Sequence, residues 1–76
     1  MKAYVLITVK MGKLQDMVAK PADISGVKTV HACWGLPDIF AFVEATDEAD
    51  LNDLVLSKIQ LMDGVERTDT HIVLET

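Results

Sequence analysis

Three side chains in this sequence have the chemistry of a metal ligand or a nucleophile pair: His31, Cys33 and His71. His31 and Cys33 stand two residues apart in Val27-Lys28-Thr29-Val30-His31-Ala32-Cys33, a run rich in the β-branched residues that favour a strand. That spacing puts them on one strand face ~6.6 Å apart, too far for a direct hydrogen bond, and no third group is at hand to orient the imidazole. Zinc sites bring their ligands in short Cys/His pairs, and none is present. Cys33 is accordingly read as a buried structural thiol, His31 as its edge neighbour and His71 as a solvated edge residue. The four glycines are isolated, so there is no phosphate-cradling loop. Asp47, Glu48, Asp50 and Asp53 crowd one stretch, but carboxylates there suit the positive end of a helix better than an acid–base pair. No catalytic residue, metal site or cofactor follows from these groups, and an enzyme is not expected.

What remains is a corner. Gly35-Leu36-Pro37-Asp38 joins the run above to Ile39-Phe40-Ala41-Phe42-Val43-Glu44. Glycine and proline punctuate a backbone most strongly, so the segment reads as a hairpin turn. Asp38, at its exit, is the only charge between Lys28 and Glu44. A carboxylate beside a tight turn can close it with its own backbone or face a ligand; from the turn alone the first reading is preferred. Two hydroxyls, Thr68 and Thr70, lie near the C-terminus. A carboxylate that takes an ammonium, with hydroxyl and backbone N–H donors that take a carboxylate, is a donor set suited to a zwitterion.

The elements that must position these groups follow from periodicity. Ala3 to Lys10 alternates Ala3, Val5, Ile7, Val9 against Tyr4, Leu6, Thr8, which predicts a central strand covered on both faces. Leu14, Met17 and Val18 give a short helical stripe over Lys13 to Lys20, ended by Pro21, with Met17 as core filler. Strands follow at Val27 to Cys33 and Asp38 to Ala45. Asp47 is placed as the N-cap of a second helix whose stripe is Leu51, Leu54, Val55 and Ile59, running to about Lys58. Asp63-Gly64 turns into a last strand, Val65 to Leu74, with Arg67, Asp69 and His71 on its wet face. The order β-α-β-β-α-β predicts an α+β, ferredoxin-like fold: a four-stranded antiparallel sheet in the order 4-1-3-2, with two helices on one face. The uncovered face is expected to be apolar and to be buried by a second copy, giving a dimeric α/β barrel.

Composition narrows the function classes. The 76 residues make one domain, spanning 1–76, and half of them are hydrophobic, much for so small a core. The net charge of −5 argues against independent nucleic-acid binding, which needs a basic face. A single cysteine excludes an internal disulfide. The first apolar run stops at Val9 and nothing approaches the ~20 apolar residues of a membrane span, so no signal peptide or membrane partner is read, and a cytoplasmic location is expected.

Three segments together resemble the ligand-binding domain of the Lrp/AsnC (feast/famine) transcriptional regulators. They are Ala3-Tyr4-Val5-Leu6-Ile7-Thr8-Val9, the Gly35-Leu36-Pro37-Asp38 turn, which is similar to the family's Gly-x-x-Asp corner, and Gly64-Val65-Glu66-Arg67-Thr68-Asp69-Thr70-His71-Ile72-Val73-Leu74, similar to its Gly-Val-x-x-Thr-x-Thr ending. The related ACT-type domain shares the strand order, and the Thr68/Thr70 ending separates the two. The resemblance implies dimers through the open sheet faces, rings of dimers, and an amino-acid effector held between dimers by Gly35, Leu36, Asp38, Thr68 and Thr70. Pro37 departs from it by lacking an N–H. The helix-turn-helix domain that normally precedes this one is not in the sequence, so the resemblance implies an oligomeric amino-acid sensor without its own DNA-binding domain, with a full-length Lrp/AsnC regulator as a candidate partner. Two alternatives share the fold: a small dimeric α/β-barrel enzyme of the monooxygenase or isomerase type, and a purely structural assembly module.

Overall fold

The computed structural model describes residues Met1–Leu74. Eight residues, Lys2–Val9, form strand β1, and its alternation is the simplest local rule in the chain: Ala3, Val5, Ile7 and Val9 are buried, while Lys2 and Tyr4 are exposed. The other strands are β2 (Val27–Ala32), β3 (Ile39–Glu44) and β4 (Val65–Ile72). They make one antiparallel sheet in the order β2-β3-β1-β4, the expected 4-1-3-2 read from the other edge. The core lies between one face of this sheet and the helices. It joins the buried side of β1 to Ile39, Ala41 and Val43 of β3, and to Met17, Leu51, Leu54, Val55 and Ile59.

The helices depart from the sequence expectation in detail. The first, α1, is a single turn, Leu14–Met17, not the eight residues from Lys13 to Lys20. Pro21 does not end it; it sits buried in the first turn of a separate 3₁₀ segment, Lys20–Asp23, where a missing N–H costs nothing. Met17 is fully buried, the core filler expected of it. The second helix, α2, begins at Glu48 and is α-helical to Asn52, then continues as a π-helix over Asp53–Ile59. The wide turn is explicit at its end, where the Gln60 N–H donates to the Val55 carbonyl five residues back, at 2.8 Å. Among the described residues, no helix is long and apolar enough to cross a membrane.

Asp47 caps α2 as its sequence context predicts. Its carboxylate accepts from the Asp50 N–H at 2.8 Å, and the Asp50 carboxylate reaches back to the Thr46 N–H at 2.9 Å. Asp47→Ala is expected to cost about 1 kcal/mol, the usual worth of a cap, read as a lower unfolding midpoint in urea with an unchanged m-value.

The open face corrects the sequence reading. Tyr4, Leu6, Phe40 and Phe42 form an apolar centre on β1 and β3, with the Tyr4 and Phe42 rings 5.0 Å apart. The edges are polar. Pairing of His31 with Phe40 and Thr29 with Phe42 brings those two onto this face, and Arg67, Asp69 and His71 face it from β4. The face is therefore an aromatic centre with a charged rim. Within one chain β1 is covered on one side only: Tyr4 is 49% exposed.

Candidate functional site

Gly35 to Asp38 bridges β2 and β3, with Trp34 and Leu36 exposed at its tip. The corner is anchored by Asp38, which is bound to both of its neighbouring strands. Its carbonyl accepts from the Cys33 N–H at 2.8 Å and its N–H donates to the Ile7 carbonyl at 3.1 Å. Its carboxylate Oδ1 accepts from the Val9 N–H at 3.0 Å. The reason is geometric. β3 begins at Ile39 opposite Ile7, so Val9 lies one rung beyond the last strand partner, and the Asp38 side chain takes the place of the missing carbonyl. The preferred sequence reading, a carboxylate closing its own turn, is thus corrected: Asp38 closes onto β1, 29 residues away.

Asp38 is half-buried and its carboxylate has further lone pairs. It lines a hollow of about 340 Å³ with Leu36, Lys10, Gly12, Leu14 and Glu66. A second hollow of about 540 Å³ shares Thr8, Leu36 and Glu66 with the first and continues over Pro37, Arg67 and Asp69. Together they form one groove between the hairpin and the start of β4, with Lys10 and Arg67 as cations, three carboxylates, and Leu36 as the apolar wall. This donor set can hold both ends of a zwitterion.

Of the five residues read as a ligand site, Leu36 and Asp38 line this groove; Gly35, Thr68 and Thr70 do not. Thr68 pairs with Ile7 and Thr70 with Val5, so both threonines share the helix-side face of the sheet. The Thr68 hydroxyl there accepts from Gln60 Nε2 at 2.8 Å. Strand alternation separates them from Arg67 and Asp69, and within one chain they do not converge on Asp38. Lys10, Glu66, Arg67 and Asp69 also line the groove and were not among the residues read as a site. The only signal available for the first three was their position at the ends of strands flanking the corner.

Cys33 also departs from expectation: the thiol is exposed, because β2 ends at Ala32 and leaves Cys33 in the hairpin. His31 and His71 are both exposed, on opposite edge strands.

A model of the Lrp/AsnC ligand-binding domain matches residues 2–76. This chain belongs to that family. Among solved structures, the Lrp/AsnC domain is similar to TTHA0845 from Thermus thermophilus, with 31% identity, TM-score 0.91, and 99% of this chain and 94% of that chain covered. It is similar to AsnC from E. coli, with 25% identity and TM-score 0.90, over 99% of this chain and 51% of AsnC. It shares the fold of the Neisseria meningitidis transcriptional regulator NMB0573, solved as an L-Met complex, at 21% identity and TM-score 0.87, over 97% of this chain and 49% of that one. No curated protein matches the chain. The Lrp/AsnC domain thus spans about half of two regulators whose fold it shares.

Proposed function

We propose that this domain is an oligomeric sensor of a free amino acid, with the ligand held at the Asp38 corner. The observation that carries this reading is the groove itself: Asp38 and Glu66 offer carboxylates to an α-ammonium, and Lys10 or Arg67 offers a cation to an α-carboxylate, with Leu36 beside them. The L-Met complex of the Neisseria regulator supports a small-molecule effector in the same fold. Thr68 and Thr70 face away from this groove, so they meet a ligand there only when supplied by another copy. Trp34, Leu36 and Met11, exposed around the corner, support a site completed between dimers.

The dimer itself would form through the open faces, burying Tyr4, Leu6, Phe40 and Phe42 against the same residues of the partner copy. The fully assembled module would regulate transcription through contact with a full-length Lrp/AsnC regulator. Calorimetry against the proteinogenic amino acids, with sedimentation in parallel, tests the reading. One or a few amino acids are expected to bind and to shift the assembly toward larger species. Absence of binding by any amino acid at millimolar concentration would remove the sensor function. Sedimentation at micromolar concentration that shows only an 8.4 kDa species would remove the dimer.

A further inference from the structure

Beside the Asp38 groove, where β2 runs into the hairpin, lies a smaller hollow of about 200 Å³ lined by Leu14, Ala32, Cys33 and Trp34. We propose that this recess receives the side chain of the amino acid held at Asp38, which makes the sensor selective for an apolar amino acid, aliphatic or aromatic. The inference rests on the amino-acid reading of the groove and adds the class of its ligand.

The two hollows adjoin. Leu14 lines both. The Cys33 N–H donates to the Asp38 carbonyl at 2.8 Å, so the residue that would hold the ammonium is paired to one that lines the recess. The recess exists because position 32 is small. Ala32 stands opposite Ile39, whose side chain is buried, so it faces the helix layer. Its single methyl leaves the space up to Leu14 unfilled, and Leu14 is held by packing against the core. Trp34 lines the same recess and is fully exposed, so its indole has no cover from its own chain.

The lining selects the occupant. It holds no charged side chain, so a charged or amide group placed there gives up water without gaining a partner. An apolar side chain gains about fourfold in affinity for each methylene it buries, and it covers Trp34 as well. The size is sufficient, since an apolar cavity of about 150 Å³ takes a benzene. The competitor is a basic side chain, because the groove has one carboxylate more than it has cations. Its Arg67 and Asp69 already pair at 3.4 Å, and an exposed contact with the carboxylate left over gains little in water. Such a ligand would leave the recess empty.

Calorimetry with L-leucine, L-phenylalanine, L-alanine, L-glutamate and L-lysine tests the inference. Leucine or phenylalanine is expected to bind about 10- to 50-fold more tightly than alanine, and more tightly than glutamate or lysine. Trp34 is the only tryptophan, so its emission reports on this hollow, and the tighter apolar probe at saturation is expected to shift it to shorter wavelength. Ala32→Leu fills the recess and Trp34→Ala removes a wall. Each is expected to lower the affinity ratio of that probe to alanine about tenfold, with the fold kept because both positions are exposed. Asp38→Asn instead weakens every amino acid together and leaves the ratio in place. If no amino acid binds, the sensor reading falls and this inference falls with it. If lysine or glutamate binds best, the sensor reading stands and the apolar class is overturned. An unshifted Trp34 emission, or a ratio unchanged in both recess variants, would put the side chain outside the recess and overturn the inference as well.

Discussion

Gly64→Ala is expected to destabilise the domain by roughly 2–4 kcal/mol, a large share of the ~4–11 kcal/mol that a chain of this length has. Gly64 is buried at the turn into β4 with φ +103°, a region that costs an ordinary residue about 1–2 kcal/mol. Its carbonyl accepts from the Lys10 N–H at 2.7 Å, which pins the turn to the end of β1 and leaves the backbone little freedom to relax. The added Cβ would also lie 2.8 Å from Met17 Cγ and 3.1 Å from its Sδ. Met17 is fully buried and is the main core contribution of α1, so its displacement loosens that helix from the core. Thermal unfolding at fixed protein concentration should fall by roughly 10–25 °C. Gly12→Ala is the control: φ is +82° but nothing lies within 4 Å, so only the backbone cost remains. Equal losses for the two variants would show that the Met17 contact contributes nothing.

Asp38→Asn is expected to weaken amino-acid binding by roughly 10- to 100-fold, the worth of one charge-assisted contact of about 1.5–3 kcal/mol. The substitution separates the two duties proposed for Asp38. An asparagine carbonyl still accepts from the Val9 N–H, so the corner stays closed onto β1, while the charge that would hold an ammonium is gone. Asp38→Ala removes both and leaves the Val9 N–H without its partner, which should cost about 1–3 kcal/mol of stability as well. Calorimetry and urea denaturation on the two variants divide the effects. Unchanged affinity in Asp38→Asn would leave Asp38 only its tie to β1 and move the ligand elsewhere.

The parts legible in the sequence were those governed by local periodicity. Alternation over Ala3 to Val9 placed β1 at the centre of the sheet, and Asp47 ahead of an apolar helical stripe placed the helix cap, because both depend on residues within a few positions. The order β-α-β-β-α-β, read from the periodicity of the elements, carried the topology, and the family resemblance is matched over residues 2–76. The π-helical stretch was hidden because Leu51, Leu54, Val55 and Ile59 mark a buried stripe for either helix type. The groove was legible only in part. Thr68 and Thr70 were correctly assigned to the opposite face from Arg67 and Asp69, yet grouping them with Asp38 required that β4 turn both faces to one ligand. Lys10 and Glu66 meet at the corner through pairing between distant segments, as does the Asp38 to Val9 bond, and no short window of sequence holds that information.

The π-helical segment has a consequence in time. A run closed by five-residue turns has poorer hydrogen-bond geometry than an α-helix, so Asp53–Ile59 is the part of the second helix that opens first. Its last turn ends at Gln60, whose side chain donates to the Thr68 hydroxyl. Each opening of that turn therefore releases β4 from its one side-chain hydrogen bond to the helix layer among the described residues. Amide exchange at Lys58 to Gln60 should run ahead of exchange at Val5 and Ile7 in the centre of the sheet, and Thr68 should keep the helix end's time rather than the sheet's.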